Sequence, residues 1–347
     1  MSLKIKKLLL PDYKDLKVLR ELNKEEIINI DKKYNLNKFF IFKRKVKNVI
    51  LYILKNTGLL SLIKISIPRS LKSVHWKYEN IAGLYVKLHK KSKKLKYIAI
   101  NEKNKIIECE GLITPYYAEC LNRLHKLYKL NSILEVGAGE LTTLDALIQK
   151  LKKKPKKIGA IDISFKRLLE EKKFIKKKNK INLLARADAS KLPFSDNSFD
   201  MVYTANCLEQ VPELFLKSVS ELVRVSSGIV VIIEPSFEFG SNSSKNYIFK
   251  KGYTKINANH FKKLNFKLIY RDILEFRYYI AGTEIIILKK KKNNNKNKTK
   301  TKTKTNFICP TTHENLFQKK NYLSNKSKSI NYPVKDSISM LCAEDKI

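Results

Sequence analysis

Three carboxylates in the middle of the chain each follow an apolar run and precede a turn, and the first two suit different parts of a nucleoside-like ligand. The first is Glu135, in the segment ILEVGAGE that spans 133–140. Gly137, Ala138 and Gly139 let the backbone turn sharply and let a ligand approach the peptide plane. A carboxylate two residues before the first glycine is placed to hold an ammonium group. The spacing departs from G-x-G-x-x-G, because Thr142 stands where the third glycine would be. A nicotinamide dinucleotide site begins in the same way, and a strand, turn and helix with no ligand is the plainer alternative. The second carboxylate is Asp162, with Ile163 after it, 23 residues beyond Gly139. That is near the ~20 residues expected of an acidic group that accepts hydrogen bonds from ribose hydroxyls. It could equally cap the next helix, a role also open to Ser164. The third is Asp188, followed by Ala189, in the segment RADASKLPFSDNSFD at 186–200.

These residues need a scaffold that brings strand ends together. Short apolar runs at 132–136, 157–161, 182–187, 199–203 and 228–233 alternate with helical patterns, 212–225 among them. Such alternation implies parallel β-α-β units and a sheet covered on both faces. Thr114-Pro115 reads as a helix N-cap followed by proline, with Tyr117, Leu121, Leu124 and Tyr128 forming one apolar face. Strands at 266–276 and 283–288 with a short connection predict a closing antiparallel hairpin.

The 186–200 segment, taken with the 133–140 loop and Asp162 in that order, resembles the motifs of class I S-adenosylmethionine-dependent methyltransferases. The resemblance covers about residues 111–290. It implies a Rossmann-like, doubly wound, seven-stranded α/β sheet and S-adenosylmethionine as cofactor. It further implies that Asp188 receives the adenine amino group and that the Ala189 N–H meets an adenine ring nitrogen. Glu135, Gly137, Ala138, Gly139, Asp162, Ile163, Asp188, Ala189, Asn206 and Cys207 would then form the cofactor site. Where the family commonly reads His-x-Leu-Glu-His, this chain has Asn206-Cys207-Leu208-Glu209-Gln210, so a base at position 210 is in doubt and the catalytic residue stays unassigned. The stretch 236–260 is expected to cover the acceptor with Phe237, Phe239, Tyr247 and Tyr253, and His260 is either a base or structural. The reaction implied is direct displacement at a sulfonium methyl, with positioning supplying much of the rate.

Composition divides the chain into a Lys-rich, mainly helical extension (1–110), the methyltransferase-like region (111–290), a Lys/Asn/Thr linker (291–305) and a small β module (306–347). In the module, Cys309-Pro310, Leu316 and the run from Tyr332 to Leu341 resemble the zinc-ribbon-like activator domain of tRNA and release-factor methyltransferases. The paired cysteines of that domain are missing, which implies a metal-free fused partner. An ordinary β-hairpin tail is the alternative. The five cysteines are dispersed, so neither a disulfide framework nor a metal site is expected.

The net charge of +40 points toward polyanions, yet 63 of the 72 basic residues are lysine and only nine are arginine. Arginine is the side chain suited to bidentate phosphate and base contacts, so nucleic acid is admitted but not favoured. A basic amphipathic segment at 39–67 would either touch an anionic membrane or pack on the main domain. No signal-peptide pattern or membrane-length apolar run is read, and the expectation is a cytoplasmic protein, peripheral to the membrane if 39–67 binds lipid. The acceptor expected is a small molecule or a sugar or lipid-linked envelope intermediate. RNA or a ribosomal substrate is the alternative, and a non-catalytic scaffold the third.

Overall fold

The computed structural model describes residues 2–10, 16–34, 70–90, 96–111, 113–170, 181–262, 264, 266–290 and 307–347. The amphipathic segment 39–67 and the linker 291–305 lie outside the described residues.

Strands β4 (Ser132–Val136), β5 (Lys157–Asp162), β6 (Leu183–Arg186), β7 (Phe199–Ala205) and β8 (Ser226–Pro235) run parallel in the order β6-β5-β4-β7-β8. The chain builds outward from β4 in one direction, then returns to its other side. The carboxyl ends of β4 and β7 therefore flank the crevice where open α/β sheets bind ligands. Antiparallel β11 (Thr283–Lys290) and β9 (Phe266–Ile273) close the far edge.

Both faces of this sheet are apolar, as parallel strands covered by helices require. Along β8, Ile229, Val231 and Ile233 enter one core while Val230 and Ile232 enter the other. The first core receives helix α5 (Thr114–Tyr128) through Tyr117, Leu121 and Leu124, and helix α6 (Thr142–Lys150) through Leu144, Leu147 and Ile148. The second receives helix α8 (Phe215–Val225), whose Phe215, Val219, Leu222 and Val225 form one helical stripe. Thr114 is the first helical residue and makes no side-chain cap, so the capping role expected of it is not what starts α5; Pro115 in the first turn is.

Three expectations are corrected. The described residues of 1–110 hold more helix than strand, as expected, but the strands were not foreseen. Besides helices α1 (Ser2–Leu8), α2 (Lys24–Tyr34), α3 (Leu71–Asn80) and α4 (Leu84–Lys90), they supply strands β1 (Leu16–Glu21), β2 (Lys96–Ile100) and β3 (Ile106–Gly111). Alternation in IIECEG, with Ile107 and Cys109 buried and Glu108 and Glu110 less so, is the period-two signal that the lysine density obscured. The second correction concerns the connection between β9 and β11. It is no simple hairpin turn, because β10 (Arg277–Tyr278) leaves the main sheet and pairs with β2, giving a second sheet in the order β1-β3-β2-β10.

The third correction is that the main sheet does not stop at seven strands. The C-terminal strands β12 (Phe307–Ile308), β13 (Asn315–Gln318), β14 (Tyr322–Ser324), β15 (Asn331–Lys335) and β16 (Ile338–Met340) continue it beyond β6. Strand β16 pairs with β6 in parallel, and the Leu341 N–H donates to the Arg186 carbonyl at 2.8 Å. The Arg186 guanidinium grips Glu344, at 2.8 Å, and Asp345. Phe307 packs on Phe194 at 5.5 Å, and Leu316, Leu323, Tyr332 and Leu341 join the second core. An exposed edge strand is an aggregation hazard, and here the tail covers it.

Candidate active site

The floor of the crevice is made of strand ends. Glu135 is 2% exposed, and its Oε2 has no hydrogen-bond partner. Burial, opposed in part by Tyr203, pushes its carboxyl up to about 8. A buried, unsatisfied carboxyl at a strand end is costly unless a donor or cation completes it. Gly137 has φ +74°, and a Cβ there would meet Cys207 Sγ at 2.0 Å. Gly139 has φ +56°, and a Cβ there would meet the Arg167 guanidinium at 2.2 Å. The loop is thus a cradle closed to any side chain.

Asp162 Oδ2 accepts from the Gly139 N–H and Oδ1 from the Ser164 N–H, both at 2.8 Å. It ties the end of β5 to the glycine loop and to the start of helix α7 (Phe165–Glu170). Arg167, on that helix, lies 3.8 Å from Asp162 and 3.7 Å from the fully buried Glu140. After β7 the chain turns through Asn206, at φ 54°, and Cys207. The buried Glu234 at the end of β8 holds this turn, accepting from the N–H groups of Cys207 at 3.1 Å and Leu208 at 2.9 Å. Burial, and then the adjoining Glu209, drive Glu234 well above the usual carboxylate range.

Two hollows open from this floor. The smaller, about 50 Å³, is bounded by Asp162, Ile163, Asp188, Ala189 and Cys207, with Leu71 and Val74 of α3 as its roof. Asp188 accepts from the Ser190 N–H at 2.8 Å and the Ser190 hydroxyl at 3.0 Å, which fixes the loop after β6. The larger, about 340 Å³, lies over Glu135, Gly137, Ala138 and Asn206. Six tyrosines line it: Tyr78, Tyr85, Tyr117, Tyr247, Tyr253 and Tyr278. Glu209, Gln210 and Arg167 also line it; Glu209 is 2% exposed, and its Oε2 has no N–H or hydroxyl partner.

The roof comes from the N-terminal extension. Glu140 accepts from the Gly83 N–H at 3.1 Å and the Val86 N–H at 2.6 Å, and Glu79 accepts from the Ser164 hydroxyl at 2.6 Å. The Arg167 guanidinium sits 5.0 Å above the Tyr78 ring and 4.9 Å above that of Tyr85. Helices α3 and α4 are thereby fastened across the crevice by groups of the main domain. The sequence reading missed this contribution, and the sequence holds no local signal for it: Tyr78 and Tyr85 lie some fifty residues before the glycine loop.

Of the ten residues named from sequence, Glu135, Ala138 and Asn206 face the larger hollow, and Asp162, Ile163, Asp188, Ala189 and Cys207 the smaller. Gly137 borders both, and Gly139 lies beneath Arg167. The expectation for 236–260 divides. Helix α9 (Asn242–Lys251) brings Tyr247 and, just after it, Tyr253 to the hollow. Phe237 and Phe239 point elsewhere: Phe237 lies against Lys255, and Phe239, 44% exposed, lies against Arg271. His260 is a capping residue, its Nδ1 accepting from the Asn257 N–H at 3.1 Å and its ring against Phe215. It does not border either hollow, which removes it as a base. Gln210 donates to Glu209.

Residues 134–232, which hold the glycine loop and strands β5 to β7, match the family model described as a methyltransferase domain. The chain carries a class I S-adenosylmethionine-dependent methyltransferase domain. The match and the strand order agree with S-adenosylmethionine as cofactor. Solved methyltransferases share the fold at low identity. The complex between a methyltransferase activator and a methyltransferase from Haloferax volcanii matches at 14% identity over 50% of this chain and 89% of that one (TM-score 0.40). Magnesium protoporphyrin IX methyltransferase from Synechocystis PCC 6803 with bound S-adenosylhomocysteine matches at 13% over 51% and 83% (TM-score 0.41). N-methyltransferase NodS from Bradyrhizobium japonicum WM9 matches at 12% over 47% and 79% (TM-score 0.39). No curated protein matches the chain. Among the described residues no group of side chains forms a metal site, and no helix is long and apolar enough to cross a membrane.

Proposed function

We propose that this methyltransferase acts on a small molecule held in the tyrosine-lined hollow. The observation that carries the reading is the lining itself: a space of about 340 Å³, roofed by α3 and α4, whose described residues include no lysine, in a chain that has 63, and one arginine, Arg167, whose charge is met by Glu140 and Asp162. A surface built to bind a polyanion would bring its cations to the site of transfer. Glu135 would hold the cofactor's ammonium group, Asp162 its ribose, and Asp188 with the Ala189 N–H its adenine. When bound, the cofactor supplies a methyl group on a positively charged sulfur. The protein's part is to keep water out and the acceptor aligned, which the tyrosine walls and the roof are suited to do.

The test is methyl transfer from labelled S-adenosylmethionine into a low-mass extract and, in parallel, into total RNA. Label in the low-mass fraction is expected, and label in RNA alone would overturn the reading. The net charge of +40 favours the RNA alternative, which requires binding that weakens steeply with salt. The envelope-linked acceptor drew its support from 39–67, outside the described residues. The tail is proposed as an activator-like module. Supporting this are its strand added to β6 and the Arg186 clasp on Glu344 and Asp345. Cofactor binding that survives removal of 307–347 with full stability would count against it.

A further inference from the structure

The walls of the larger hollow say more about the acceptor than its size does. Tyrosine rings present a negative face, and a cation within about 6 Å of a ring centroid is attracted to it. This wall already holds one cation, since Arg167 lies 5.0 and 4.9 Å from the centroids of Tyr78 and Tyr85. The charge of Arg167 is met by Glu140 and Asp162, at 3.7 and 3.8 Å. Glu135 is matched to the cofactor's ammonium group. That leaves Glu209, a buried carboxyl at the base of the same hollow with an oxygen that no N–H or hydroxyl satisfies. Its neighbour Gln210 donates to the other oxygen, and Glu234 beneath it, raised by burial and by Glu209 toward the neutral form, shares a hydrogen bond with it, so the pair holds one negative charge at the base of the hollow.

From this arrangement we infer that the acceptor is an amine that enters as its ammonium ion, seated between the tyrosine rings with its N–H directed at Glu209. The inference rests on the small-molecule reading above. Transfer requires the nitrogen lone pair, so the ammonium first gives a proton to Glu209. The lone pair then forms the N–C bond as the C–S bond breaks, its electron pair staying on sulfur. The product is a methylated ammonium ion and a neutral thioether, and charge is conserved. Glu209 is in this account a catalytic residue, because it touches the reacting nitrogen.

The experiment uses the full chain saturated with S-adenosylhomocysteine, whose sulfur is neutral, and measures probe binding by calorimetry. The probes are 2-phenylethylamine, its alcohol 2-phenylethanol, and trimethyl(2-phenylethyl)ammonium, which has the cation but no N–H and cannot be methylated. The primary and quaternary cations are expected to bind at least about ten-fold more tightly than the alcohol, and methyl transfer from S-adenosylmethionine is expected only to the primary amine. Glu209→Gln should weaken both cations about ten-fold or more while S-adenosylhomocysteine affinity is retained. Tyr85→Leu, at a ring 37% exposed and so tolerant of change, should weaken them about three-fold. Equal affinity for alcohol and cation, or methyl transfer to the alcohol, overturns the amine assignment and leaves the small-molecule reading standing. No probe binding together with methyl transfer into RNA overturns both.

Discussion

The two halves of the crevice are built in different ways. The half proposed for the cofactor comes from consecutive strand ends within 135–189, where Asp162 and Asp188 are fixed by backbone N–H groups close in sequence or on the adjoining loop and Glu135 is left unsatisfied. The tyrosine half is assembled from α3, α4, α5, α9, the segment after α9 and β10, which together span 200 residues from Tyr78 to Tyr278. The first half is set by local backbone geometry, so it can be carried from one protein to another as a motif. The second is set by how distant elements pack, so it can change acceptor without disturbing the cofactor. This is the physical content of the rule that a fold hosts many functions through its site.

The largest expected effect that would break the contrast is at Glu135. Glu135→Gln should lower S-adenosylmethionine affinity on the order of 100-fold, because a buried charge partner is lost, while weakening the amine probe far less, since Glu135 borders the tyrosine hollow without being the group aimed at the amine. Isothermal calorimetry on the two ligands separately measures both. The same residue makes a pH prediction. Its pKa is raised from the ordinary 4.5 to about 8 in the folded, cofactor-free chain. Between those values the folded chain keeps a proton that the unfolded chain has released, so this group's contribution to stability is whole below 4.5 and is lost as pH rises through about 8. Relative to wild type, Glu135→Gln should therefore gain melting temperature progressively from pH 5 to pH 8. A constant difference across that range would mean that Glu135 is not buried as described.

Proton release on binding sharpens the point. At pH 6.5 a cofactor ammonium group meets a protonated Glu135 and displaces its proton to buffer. Binding enthalpies in buffers of differing ionisation enthalpy should then report release of close to one proton. Above pH 8 the release should vanish.

Next in size is Asp188→Ala, which should weaken S-adenosylmethionine about ten-fold with no change in the affinity of the amine probe. An equal loss for both ligands would show that the two halves are not separable. The smallest effect is expected at His260. Its Nδ1 caps a turn and it borders neither hollow, so His260→Ala should cost about 1 kcal/mol of stability and leave the turnover rate unaltered. A large loss of turnover at full cofactor saturation would return it to the catalytic site.

Much of the cofactor half was legible because its signals are short-range. A glycine needed for a positive φ, a carboxylate at a strand end and the strand periodicity of 132–136 and 228–233 all sit within a few residues of one another. The misreadings share the opposite origin. Phe237 and Phe239 belong to an aromatic-rich stretch, yet only Tyr247 on α9 and Tyr253 just after it turn inward. The strands of the N-terminal extension are brief and flanked by lysines, and their pairing with β10 is a contact across some 180 residues.

By itself, the sequence determined the class of sheet, the place of the glycine loop and the strand-end positions of the three carboxylates proposed for the cofactor, because strand, turn and cap chemistry act over a few residues. Only the tertiary structure decided that α3 and α4 roof the crevice, that the C-terminal module extends the sheet from β6, and that six tyrosines and Glu209 share one hollow. Those facts depend on long-range packing, where any one of many apolar or aromatic residues satisfies the local pattern and only the folded chain selects among them.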